Sequence, residues 1–533
     1  MKKLRMQNED SKSQIYQQLN RKWKETCKIL LGEEVGELKE FSEWLSEFKR
    51  PSLKKQVNGK TAVYGAIPYR GQKWAIFEDI NFDARSPSIS INQCKDLDSL
   101  VEAVKENIVY AGSIVLGNCV QTESSTYVVD SHFVYCSEQV FESKYIAYST
   151  HCLYSECLFG CQCASSSFGI RSNNYLCQRT FEVHKVDYSS DIYFSHGLSG
   201  CKNCIFCFGL RNKSHCIGNL QFSKEEYSKI KAKLLEDMHS WLRYKKQLPS
   251  LIEIASFKKP ELGELEKVVA KNADAAAEPT DLSPINSVFA QTCKLVLGKH
   301  RTPMRQYERW LLKQSAAFKE EKSCISGKRI LVPDYALFFK FPKERLLLDN
   351  EAEAASRICI SKEEANKLAL SNAGQIIGKI AFFCPIWKVG TNKNCIDCPT
   401  SIDSSNCFMN VINIKAKNCA YDFWPRNSEA IFGSYGCGLS SSFCIRCYFS
   451  KNLSRCFEVD SGRGCSDCYF CHNVENCHDC ILCFNVKNLS YAVGNCPLPK
   501  DQYMKIKRML LDDINNQLDK KCEVKQHIYS LLA

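Results

Sequence analysis

Cysteine is the residue with the most chemistry to offer in this 533-residue chain; there are 33, an odd count that cannot all pair within one chain. From Cys465 the sequence reads CSDCYFCHNVEN and then CHDCILCFNVKN, two consecutive 12-residue units. In them Cys465, Cys468, Cys471, Val474, Cys477, Cys480, Cys483, Val486, Leu489 and Ala492 fall on every third position. Three chemistries compete for such a pattern. C-x-x-C is the usual half of a four-cysteine zinc site, which makes Cys201, Cys204, Cys207, Cys477, Cys480 and Cys483 the alternative zinc ligands; a further pair is Cys395 and Cys398. An iron-sulfur cluster is suggested by C-x-x-C-x-x-C and by Cys496-Pro497. The bacterial ferredoxin run needs its fourth cysteine three residues on, whereas twelve residues separate Cys483 from Cys496. The third reading is packing. Val, Leu, Ser and Ala take the same phase as Cys, which a ligand set would not tolerate, and Cys behaves as a small buried hydrophobe. The expectation adopted is therefore a packed ladder with no metal or cofactor, zinc being the alternative.

A period of three matches neither the 3.6 of a helix nor the 2.0 of a strand. It reads as short strands with frequent corners that coil as a solenoid, small side chains stacking inside. Asn473, Asn476, Asn485 and Asn488 suit left-handed corners.

The element that carries this pattern occurs twice. Residues 201–237 align without a gap onto residues 477–513, with 17 of 37 positions identical. Phe181-Glu182-Val183 matches Phe457-Glu458-Val459 at the same offset, and Ser165 to Arg171 matches Ser440 to Arg446 with one residue of slip. Near the starts, Thr26-Cys27-Lys28 meets Thr292-Cys293-Lys294, and Trp44 meets Trp310. The fold expected is α+β: two tandem homologous modules, each with a helical or mixed opening part, a short Cys-lined β-solenoid and a closing amphipathic helix. The expected boundaries are 1–118 for the first opening part, 119–220 for its solenoid and 221–258 for its closing helical segment. A linker follows over 259–284, where small residues and prolines cluster, then 285–383, 384–496 and 497–533 for the second module. In the opening part Leu38, Phe41, Trp44, Leu45 and Phe48 have helical spacing, and Thr61–Tyr64 and Trp74–Phe77 read as strands. Ser223 with Glu226 begins the closing helix as a capping box, and Ile230, Leu234 and Leu235 are expected to face inward.

Composition narrows the function classes. Hydrophobic residues at 44% and charged residues at 24% are ordinary for a folded chain, so global disorder, collagen and coiled coil are excluded. The first residues have no apolar run and no stretch of about 18 apolar residues occurs, so neither a secretory signal nor a membrane span is expected. The expected setting is the reducing cytoplasm, with incorporation into a virion open. The net charge of +12 permits an anionic partner without demanding one. Lys224, Lys229, Lys231 and Lys233, with Lys505, Lys507 and Arg508, could touch nucleic acid, but a solvated helix face explains them more simply. Phosphate-loop, dinucleotide, zinc-protease and nucleophile-elbow motifs are all missing. His196 and His472 fall at matched positions and are read as structural hydrogen-bonding groups. The triplets at Asn212, Asn452 and Asn488 are read as corners rather than glycosylation sites. No catalytic residue is expected, and the chain is read as a non-enzyme.

The run C-x-x-C-x-x-C-F-G-L-R-N-K-x-x-C-I-x-N followed by S-K-E-E-Y, Cys201 to Tyr227, resembles Cys-rich repeat proteins of unknown function encoded by uncultured small-genome bacteria and large bacteriophages. The second copy departs from it, with Leu489 in place of Lys213 and Ala492 in place of Cys216. The resemblance implies a solenoid and a viral setting, and no catalytic residues. Together these readings predict a structural or assembly protein that bridges two equivalent sites among the protein subunits of a larger assembly. The alternatives are a zinc-dependent nucleic-acid-binding protein and an iron-sulfur redox protein.

Overall fold

The computed structural model describes residues 13–48, 53–64, 73–89, 94–270, 281–315, 318–335 and 337–532; of the linker expected over 259–284, the stretch 271–280 lies outside them. Helices and strands both occur, the strands mostly in parallel sheets. Lys144 pairs in parallel register with His132 on one side and Glu156 on the other, so one turn of the coil takes 12 residues. Along it nearly every third residue has a positive φ. Tyr127, Asp130, Phe133, Cys136 and Gln139 are one run of these, and Asn473, Asn476, Asp479, Leu482, Asn485 and Asn488 another. Each such corner is costly for an L-residue. It is offset because the corner N–H reaches the turn before, as in Tyr148 N–H to Tyr135 O at 3.1 Å and Gly160 N–H to Ala147 O at 3.0 Å. The corners divide a turn into four three-residue sides, which is the physical origin of the period of three. Asn212, Asn452 and Asn488 are all corner residues.

Each side sends one side chain inward. In the first solenoid Val128, Val134, Val140, Ile146, Cys152 and Leu158 form one interior cluster, and between them fall Ser125, Ser131, Ser137, Ser143, Ser149 and Ser155, all buried. These serines form a second ladder. Ser137 Oγ donates to Tyr135 O at 2.8 Å and accepts the Ser149 N–H at 3.1 Å, and the other serines of the run repeat the pattern. Ser137→Ala would leave the buried Ser149 N–H unpaired and is expected to cost about 1 to 3 kcal/mol. Ser137→Cys should cost less, since Cys465 Sγ accepts the Cys477 N–H in the same way at 3.5 Å. Urea denaturation of the two variants checks the order.

The chain divides into two units, each assembled from three stretches. The first comprises Met1–Ser52, Gly117–Ala276 and Lys319–Trp387; the second comprises Leu53–Leu116, Ala277–Phe318 and Lys388–Ala533. The linear partition expected from the sequence therefore does not describe the units. Residues 53–116, expected with the solenoid that follows them, belong with the other solenoid, and 319–387 belong with the first. The reason is a set of specific contacts. In the first unit Ile360 N–H donates to Gly218 O at 3.0 Å, and Asn219 Nδ2 donates to Ile358 O at 3.0 Å. Gly218 has φ +56°, and a Cβ there would meet Ile360 at 2.4 Å, so only glycine admits this approach. In the second unit Arg85 Nη2 donates to Lys487 O at 2.8 Å, and Ser86 Oγ to Gly494 O at 3.0 Å.

In the first unit the helix Gln14–Leu31 buries Tyr16, Leu19 and Trp23. Trp23 and Tyr16 meet Phe159 and Tyr135, which lie on one outer column of the coil. Tyr193, on the same column, donates its hydroxyl to Leu30 O at 2.9 Å. In the second unit Ser283–Leu297 does the same, with Phe289 against Phe432 and Tyr469 donating to Val296 O at 2.8 Å. The stripe Leu38 to Phe48 is buried at every expected position but forms three short turns, Leu38–Phe41, Ser42–Leu45 and Ser46–Phe48, rather than one helix. Two of them are 3₁₀, whose i, i+3 periodicity matches the 38–41–44 and 45–48 spacing as well as an α-helix does. The strands Lys60–Tyr64 and Lys73–Ile76 form near the expected runs. The closing helix Lys224–Lys245 begins with the capping box on Ser223 and Glu226 and buries Ile230 and Leu234, while Leu235 is only half-buried.

Candidate functional site

Two arrangements carry chemistry. The first is the thiol ladder. Cys201, Cys204 and Cys207 occupy successive sides of one turn, with Leu210 on the next side, and all are buried. Their Sγ–H groups donate to the carbonyls two residues back, Ser199 at 3.4 Å, Lys202 at 3.6 Å and Ile205 at 3.3 Å. Cys477, Cys480 and Cys483 repeat this to Glu475, His478 and Ile481 at 3.4, 3.5 and 3.5 Å, with Val486 next. Cys480 stacks between Cys468 and Ala492 of the adjoining turns. The thiols thus do what the serine hydroxyls do, and the carbonyls they use are part of the coil. Among the described residues no three His, Cys, Asp or Glu groups are placed to hold a metal ion, and the cysteines whose side chains are described are free thiols. Burial pushes the interior Cys177 and Cys398 thiols up, whereas hydrogen bonds from neighbouring ladder thiols pull Cys201 and Cys477 down.

The second arrangement centres on His196 and His472, and here the two units differ. In the second unit His472 Nε2 accepts the Ala111 N–H at 2.9 Å, and Nδ1 lies 2.7 Å from Asp460 Oδ2. Tyr529 donates its hydroxyl to Asp460 Oδ1 at 3.1 Å. In the first unit His196 Nε2 accepts the Cys384 N–H at 2.9 Å, but Nδ1 is buried with no acceptor in hydrogen-bond range. His184 stands where the alignment puts Asp460, Lys185 where it puts Ser461, and Cys384 takes the place of Ala111. Phe341 and Phe383 wall the imidazole at 5.2 and 5.0 Å.

Lys185 and Cys384 are both buried. Lys185 Nζ donates to Asp349 Oδ1 at 3.1 Å, and Cys384 Sγ lies 3.8 Å from the same oxygen. Burial pushes the Cys384 thiol up to about 11, against the pull of Lys185, so it is protonated at neutral pH. His196 is pressed well below the ordinary histidine range by burial and then by Lys185, His184 and Arg211, and is neutral. Lys185, His196, Gly197, Gly209, Arg211 and Cys384 are among the residues around a cavity of about 10 Å³ for the centre of a water-sized guest, room for one such guest. The sequence reading singled out His196 but missed Lys185, Asp349 and Cys384. Asp349 lies in the opening part expected of the second module, and Cys384, expected as the first residue of the second solenoid, belongs with the first unit. The available signal was the break in the aligned pair His184-Lys185 against Asp460-Ser461.

The basic residues of the closing helices are partly engaged. Lys231 lies 4.8 Å from the Tyr193 ring centre, and Lys507 pairs with Asp479 at 3.1 Å; Lys224, Lys229, Lys505 and Arg508 are exposed. No described helix is long and apolar enough to cross a membrane. No protein-family model, curated protein or solved structure matches the chain.

Proposed function

We propose that the chain is a non-enzymatic structural or assembly protein, a duplicated module whose two units bridge equivalent sites on the protein subunits of a larger assembly such as a virus or phage particle. The observation that carries this reading is the recurrence of one anchoring set. In one unit Arg171 donates to Trp44 O and pairs with Glu182, which accepts the Leu251 N–H. In the other Arg446 donates to Trp310 O and pairs with Glu458, which accepts the Ile528 N–H. Like anchors hold like outer elements, so each unit offers a similar outer face on a coil whose backbone hydrogen-bonds from turn to turn. That is the form of a rigid adaptor rather than of a site that must open for turnover.

The test is fractionation of a native extract followed by cross-linking. The chain is expected in a high-mass fraction, with cross-links from both units to the same partner polypeptide. A monodisperse monomer with no particle association overturns the reading. Two or more zinc atoms per chain with salt-dependent retention on DNA or RNA would replace it with the nucleic-acid alternative.

A further inference from the structure

The geometry points to a binding site in the first unit for a small inorganic monoanion of halide size, held between the Nδ1–H of His196 and the ammonium of Lys185. The argument begins with the tautomer. His196 Nε2 accepts the Cys384 N–H, so in a neutral ring the proton must sit on Nδ1. That nitrogen is a donor, it is buried, and no protein acceptor reaches it. A buried donor left unmade costs about 1 to 3 kcal/mol.

The second unit shows what the first lacks. There the equivalent histidine makes the same bond to an incoming backbone N–H, and its Nδ1 is met by the carboxylate of Asp460 at 2.7 Å. In the first unit that carboxylate is gone and His184, also buried and without a hydrogen-bond partner at either ring nitrogen, stands in its place. The internal anion is thus missing while its donor is kept. A cation has been added in Lys185, buried beside the cavity where the second unit has Ser461, and Arg211, opposite Lys487 in the alignment, also lines it. The acidic groups nearby are Asp349, already bonded to Lys185 Nζ, the buried Asp187, which accepts from Trp387 and Ser199 and interacts with Lys185 and Arg211, and Glu353, an exposed lining residue. The cavity admits a guest of about one water's size, which excludes phosphate or a nucleotide and fits chloride or bromide.

The experiment is thermal denaturation of the full chain in sodium bromide against sodium gluconate at matched ionic strength, so that screening is the same in both. The wild type is expected to show a saturable rise in its first transition of roughly 2 to 4 °C in bromide. His184→Asp restores the internal carboxylate and should abolish the halide response, and Lys185→Ser, which installs the residue found at Ser461, should weaken it several-fold. Broadening of the ³⁵Cl NMR line by the wild type, reversed by bromide, reads the same site without any variant. No saturable response in either measurement means the cavity holds only water and overturns the proposal, as does an equal response in His184→Asp.

Discussion

Residues 1–270 expressed alone are expected to be insoluble or to lack a cooperative melting transition, and the same is expected of residues 281–533, whereas the two co-expressed should purify as a one-to-one complex. The reason lies in the composition of the units. Residues 1–270 lack 319–387, which close over Gly209 and Gly218 and supply the Phe383 and Phe341 rings around His196. They also carry 73–116, whose apolar side chains Leu97, Leu100, Ile108 and Tyr110 are buried in the second unit. Cutting the chain in the linker therefore uncovers a core face on both fragments. Losing such a face removes more than the roughly 5 to 15 kcal/mol by which a domain is stable. A soluble 1–270 fragment that melts cooperatively near the first transition of the intact chain would show that 319–387 is dispensable to the first unit.

Arg171→Ala is expected to cost about 3 to 5 kcal/mol, among the largest effects of any single substitution in the first unit. The guanidinium is 1% exposed. Its Nε lies 2.7 Å from Glu182 Oε2, its Nη1 donates to Trp44 O at 2.5 Å, and its Nη2 pairs with Glu47. Removing it leaves the fully buried Glu182 carboxylate unpaired. Arg171→Met with Glu182→Leu removes both charges and should cost much less, since the desolvation penalty disappears with them. The pair also sets a pH dependence. Burial alone would raise the Glu182 carboxyl, but Arg171, with His184, outweighs it and holds the group at about 2, below the ordinary 4.5. A depressed folded-state value means the contribution is complete above about pH 4.5 and is lost as pH falls from there toward 2. The loss expected over that window is about 3 kcal/mol. Urea midpoints measured at successive pH values should fall in the wild type and stay flatter in the double variant.

Much of the local architecture was legible in the sequence because it is set by local rules. Period three required corners at every third residue, and Asn473, Asn476, Asn485 and Asn488 adopt the left-handed conformation that asparagine tolerates best. The capping box at Ser223 and Glu226 forms as spaced. The inward phase of Cys, Val, Leu and Ala follows from the coil having room for one small side chain per side. The serine ladder was in the same phase but went unread, because a hydroxyl at an interior position looks like a substitution until its bonds to the carbonyl two residues back and the N–H twelve residues on are seen.

What the sequence determined by itself is the coil: its 12-residue turn, its corners and its small interior are fixed by neighbours one turn away at most. Only the tertiary structure decided which stretch completes which unit and where the buried polar groups meet. Cys384 meets His196 across 188 residues, and Ala111 meets His472 across 361. Such pairings depend on surfaces built by each coil, on glycines at Gly209 and Gly218 that let a distant segment approach, and on burial that leaves His196 Nδ1 without a protein acceptor while Lys185 is held by Asp349. No periodicity encodes these, because the energy that selects them comes from desolvation and shape where residues distant in sequence meet.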